Sequence, residues 1–134
     1  MADTVLNTTV FDGSKKLITH YNVVSDGTGG TTKIVDVSAL NSNNGKTCKT
    51  VRLNKISFNV SVTAQVDALR MLWDATTDVA FQTLNGEMEY DYSSFGGLPN
   101  TEATNFTGDV NITLPACTSG DSGTVVCEWI KVYE

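Results

Sequence analysis

At 134 residues and 14.4 kDa the chain is long enough for one domain that closes a two-layer core without staples. Its net charge of −6 and pI near 4.6, with the nine Lys and Arg scattered, exclude the basic stripe that marks a nucleic-acid binder. No apolar run reaches the length of a membrane span, and Met1-Ala2-Asp3-Thr4-Val5 carries no signal-peptide pattern, so folding in a reducing cytoplasm is the expectation.

Residues 1–10 read as a first strand or an arm, with Val5, Leu6 and Val10 apolar, before a turn at Phe11-Asp12-Gly13-Ser14. Apolar and polar residues then alternate at period two from Lys15 to Val24, which places Leu17, Tyr21 and Val23 on one face of a strand. The glycine-rich turn Ser25-Asp26-Gly27-Thr28-Gly29-Gly30 leads into a strand over Thr32 to Leu40. From Cys48 to Thr63 the apolar set changes parity, Val51 and Leu53 first and then Ile56, Phe58, Val60 and Val62. A strand cannot change faces without an extra residue, so a β-bulge is expected near Asn54-Lys55.

Gln65 to Trp73 reads as a strand ending at Asp74, followed by the turn Ala75-Thr76-Thr77-Asp78 and a short strand over Val79 to Leu84. Asn85-Gly86 is a hairpin signal. Glu87 to Tyr92 alternates strictly, with Met88, Tyr90 and Tyr92 inward and Glu87, Glu89 and Asp91 outward. An irregular loop from Ser93 to Thr107 precedes a final hairpin of Val110 to Leu114 and Thr124 to Tyr133. About eight strands at near-regular spacing predict an all-β fold, a single-domain antiparallel β-sandwich of jelly-roll type over residues 1–134.

The three cysteines, Cys48, Cys117 and Cys127, match no zinc spacing. If Thr118 faces Thr124 across a hairpin turn, the sulfurs of Cys117 and Cys127 sit diagonally, a poor geometry for a disulfide, and buried free thiols are expected. Gly120-Asp121-Ser122-Gly123 matches the nucleophile signature of trypsin-like proteases. The sole histidine, His20, lies on a strand with no motif linking it to Ser122, so an ordinary turn is the better reading. Asp26-Gly27-Thr28-Gly29-Gly30 lacks the Gly-Lys-Ser/Thr of a phosphate loop. Glu87, Glu89 and Asp91 read as the solvated face of an amphipathic strand rather than an ion site, and Trp73 and Trp129 as core aromatics rather than sugar platforms. No catalytic, cofactor-binding or metal-ligating residue is assigned, and an enzyme is not expected. Phe95, Leu98 and Phe106 in the Ser93-to-Thr107 loop are the candidate partner interface; the other reading has them plug the open end of the sandwich.

Several segments together resemble a known group. These are Phe11-Asp12-Gly13-Ser14-Lys15-Lys16, Ser25-Asp26-Gly27-Thr28-Gly29, Asp36-Val37-Ser38-Ala39-Leu40 and Leu72-Trp73-Asp74-Ala75-Thr76-Thr77-Asp78, followed by Phe95-Gly96-Gly97-Leu98-Pro99-Asn100, Thr107-Gly108-Asp109-Val110 and Thr118-Ser119-Gly120-Asp121-Ser122-Gly123. In this order they look like small virion proteins of tailed bacteriophages, of the capsid decoration (cement) type. The resemblance spans most of the chain, but its motifs are turns and strand ends and carry no chemistry. It implies a protein made in the host cytoplasm that sits on the capsid surface of the virion. Its partners would be the major capsid protein and further copies of itself as a homotrimer, with no cofactor, nucleic acid or membrane involved. Two other readings stay open: a carbohydrate-binding or receptor-binding module, and another virion part such as a tail or head–tail joining protein.

Overall fold

The computed structural model describes residues 4–41, 45–64, 68–99, 107–116 and 118–133. Nine strands form two antiparallel sheets: β1 (Thr4–Asp12), β2 (Lys16–Val24), β3 (Gly30–Val35), β4 (Thr50–Ser61), β5 (Leu69–Trp73), β6 (Val79–Leu84), β7 (Gly86–Asp91), β8 (Val110–Leu114) and β9 (Ser122–Val132). One sheet has the order β1-β2-β9-β4-β7 and the other β3-β8-β5-β6. The fold is the expected jelly-roll-like β-sandwich, and the amino-terminal segment is an edge strand paired with β2.

The core is built from the alternation the sequence displays. Leu17, Tyr21 and Val23 of β2 face Val125, Cys127 and Trp129 of β9 and the buried residues of β4. From the second sheet Leu69, Met71 and Trp73 of β5 and Ile112 of β8 close over them. Both tryptophans are buried, and Trp129 Nε1–H donates to Thr19 Oγ1 at 3.1 Å, which satisfies the one polar atom that its ring brings inside. Cys48 and Cys127 are buried free thiols, whereas Cys117 lies outside the described residues. In β4 the register shifts between Leu53 and Lys55, and this bulge lets Val51 and Leu53 share the core face with Ile56, Phe58 and Val60.

Three expectations are corrected. The two predicted hairpins at Asn85-Gly86 and before Thr124 do not form, because β6 and β7, like β8 and β9, lie in different sheets. Gly86 adopts the left-handed conformation the signal requires (φ 78°), but the chain turns from one layer to the other instead of doubling back on its neighbour. Consequently Cys127 stands beside Thr19 and Ile56 rather than Pro115. The third correction is the strand predicted over Thr32 to Leu40. It ends at Val35, because the Asp36 carboxylate accepts hydrogen bonds from the Ser38 N–H and hydroxyl and starts a 3-10 turn over Val37–Ala39.

Candidate interaction surface

Among the described residues strand β7 pairs only with β4, and all six of its own residues are exposed. Met88 lies opposite Phe58, and Tyr90 opposite Ile56, so their side chains leave β7 on the core-facing side, as the alternation predicts. Yet Met88 is 50% exposed and Tyr90 37%, because this sheet has one strand more than the other and its edge overhangs. The overhang uncovers two members of a run of rings, Tyr90 and Phe95, while Phe58 stays buried and Tyr92 half-buried. Phe58 and Tyr90 approach at 6.1 Å between centroids, Tyr90 and Tyr92 stack at 6.1 Å with an interplanar angle of 7°, and Tyr92 and Phe95 meet at 5.8 Å. Phe95 ends the run at 59% exposed.

Hydrogen bonds anchor the run at Tyr92 and in the turn that follows. Tyr92 O–H donates to Gln82 Oε1 of β6 at 2.9 Å, which ties the overhanging edge to the opposite sheet. Burial, then the neighbouring Tyr90, pushes the Tyr92 phenol above its ordinary value against the lowering effect of Gln82, so the hydroxyl stays a donor. Asp91 accepts from the Ser93 N–H at 2.9 Å just ahead of the 3-10 turn Ser93–Phe95, and the Ser93 side chain first, then its N–H, hold the Asp91 carboxyl below its ordinary value. After the turn, Leu98 and Leu53 exchange two backbone hydrogen bonds, of 2.8 and 3.0 Å, which pin the loop to β4 beside its bulge.

The predicted interface residues thus separate. Phe95 is exposed and joins the ledge; Leu98 is half-buried and packs against the core, as the plug reading has it; Phe106 lies outside the described residues. Met88, Tyr90 and Tyr92 were read from the sequence as interior; Tyr92 is half-buried and packs against the core, whereas Met88 and Tyr90 are exposed. The exposure of those two depends on how many strands the facing sheet has, which no local pattern encodes.

At the opposite end of the same sheet, β1 exposes Val5, Leu6, Val10 and Phe11. Between β1 and β3 opens a cavity of about 300 Å³ lined by Asn7, Thr9, Asp12, Lys33 and Asp36 among others. Its charged groups already have partners: Asp12 binds Lys131, Lys33 binds Asp109 and Asp36 accepts from Ser38. Ser122 and His20 are brought onto adjacent strands, but Ser122 pairs with Val24 and His20 with Val126. Four register positions separate them, roughly 13 Å. Asp121, the neighbour of Ser122, accepts from Thr63 and makes no contact that would orient an imidazole. The Gly-Asp-Ser-Gly segment assembles no protease triad.

No family model matches the chain, and no curated protein matches it. Among solved structures it is similar to the crystal structure of a cupin domain from Bordetella pertussis Tohama I. The two share 14% identity over 98% of this chain and 97% of that one, with a TM-score of 0.40. An overlap that low transfers no role between the two proteins.

Proposed function

We propose that this protein is a capsid decoration, or cement, protein of a tailed bacteriophage, a binding module without chemistry of its own. It would attach to the major capsid protein on the outer surface of the head, as a homotrimer, and stabilise the shell by favouring the assembled state through mass action. The observation that carries the reading is the exposed ledge of Met88, Tyr90 and Phe95, joined by the half-buried Tyr92, since a few anchors, aromatic ones prominent among them, supply most of the energy of protein interfaces. The sequence resemblance to phage virion proteins supplies the setting.

A carbohydrate-binding role is the second reading. The near-parallel Tyr90 and Tyr92 rings favour it, because sugars dock on aromatic faces. Mixing purified protein with undecorated heads and sedimenting the particles separates the two. A cement protein co-sediments, and Tyr90→Ala or Phe95→Ala each weakens that binding by about 2 kcal/mol per attachment point, roughly thirtyfold for each point engaged. Retention on a glycan column with no retention on heads would overturn the proposal.

A further inference from the structure

The ledge occupies one face of β7, and the other face of the same strand carries a second pattern. Glu87, Glu89 and Asp91 take its three outward positions, opposite Asn59, Ser57 and Lys55 of β4. Only Asp91 faces a cation, and among the described residues neither Glu87 nor Glu89 has an ion-pair partner. β7 also ends its sheet, so beyond it no strand stands beside its backbone among the described residues. The other edge strands differ. β1 is uncharged from Thr4 to Phe11, β6 carries no charge, and β3 carries Lys33 alone.

A row of like charge protects an edge against a copy of itself and against any acidic strand. The same row leaves the edge open to a strand of opposite charge, because oppositely charged residues directly across a pair stabilise it. We infer that β7 is a strand-addition site for an extended partner segment that alternates Lys or Arg with apolar residues. The basic side chains would stand beside Glu87, Glu89 and Asp91, and the apolar ones would extend the ledge over Met88 and Tyr90. Backbone hydrogen bonds would supply affinity, while the two faces, matched at period two, would supply specificity. This inference rests on the ledge being a protein-binding surface, and it names the chemistry of the segment bound there. A glycan could use the rings but would need neither the free ladder nor the acidic row.

The test uses the full chain and a capped ten-residue peptide alternating Lys with Val. Its controls are the Glu-for-Lys counterpart and a version N-methylated on the amides of one edge. Hydrogen exchange should slow at alternate amides of residues 86–91 with the Lys peptide, about tenfold or more, and the N-methylated peptide should lose the effect. Because surface charge pairing is screened, binding should weaken several-fold as salt rises to about 0.3 M. Glu87→Lys with Glu89→Lys, both on exposed positions, should reject the Lys peptide and accept the Glu peptide. Equal binding of both peptides to the unmodified chain, or protection on β1 instead of β7, would overturn the inference. So would glycan binding at the ledge without slowed amides. Heads that bind the protein while the β7 amides stay unprotected would refute strand addition and leave decoration standing; peptide binding without head binding would do the reverse.

Discussion

Lys131 is the clearest case of a residue whose role its neighbours decide. It sits on the inward side of β9 with no exposed side-chain surface, and an ammonium there is tolerable only if it is fully partnered. Asp12, at the end of β1, and the Asn41 carbonyl provide the partners, and Asn41 N–H in turn donates to Asp12 at 3.0 Å. Removing one member of such a pair strands the other, so Asp12→Ala should cost about 3 kcal/mol or more, read as a lower denaturant midpoint. Asp12→Ala together with Lys131→Met should recover most of that loss. Cys127 makes a separate prediction. Its thiol is raised above the usual 9.0 by burial, with Thr19 opposing, so the folded protein holds that proton more tightly than the unfolded chain does. A raised group contributes its full stability below its unfolded value and loses it as pH climbs above that value. The melting temperature should therefore fall as pH rises beyond about 9, and Cys127→Ala should flatten that decline while lowering the neutral-pH value.

Among the connections between elements, the one entering β8 is the most constrained. Gly108 has φ 93°, and a Cβ built there would lie 1.9 Å from the Lys49 carbonyl oxygen. That oxygen belongs to the backbone, so no rotamer change can clear it. Gly108→Ala should cost well beyond the ~1 kcal/mol of positive φ alone, about 3 kcal/mol or more by thermal denaturation. The neighbouring Asp109 anchors the same connection: its carboxylate accepts from Val37 N–H at 2.9 Å and from Lys33 at 2.8 Å, which joins β8 to the turn after β3. Elements of this kind were only partly legible in the sequence. Strand positions, the inward residues and the β4 bulge follow from period two and its one change of parity, since each is a local consequence of burying one face. Strand pairing does not follow. Asn85-Gly86 fixes a reversal of the backbone, yet whether the chain returns to its own sheet or crosses to the other depends on distant partners, β4 for β7 and β5 for β6. The exposure of Met88 and Tyr90 has the same origin, and so the ledge was invisible while Phe95, in a loop, was not.

At the scale of the whole molecule, the ledge and the oligomer make one joint prediction. Phe95 is mostly exposed, so Phe95→Ala should leave unfolding within about 0.5 kcal/mol of the parent, whereas Leu98→Ala, packed on the core beside Leu53, should cost about 1–2 kcal/mol. A Phe95→Ala protein that fails to bind heads is therefore defective in contact and not in fold. The size of its defect reports the number of copies acting together. A monomer that loses one anchor weakens about thirtyfold, but a trimer loses an anchor at every attachment point, and the losses multiply. Each copy carries a net charge of −6, so copies repel at low salt, where charges act over about 30 Å before they are screened. Light scattering should accordingly show the proposed trimer dissociating as ionic strength drops, and Phe95→Ala should lose far more than thirtyfold in head binding only under conditions where such a trimer persists. A defect of about thirtyfold at every ionic strength, with one copy per site, would rule out the trimer and leave a monomer attached through the ledge.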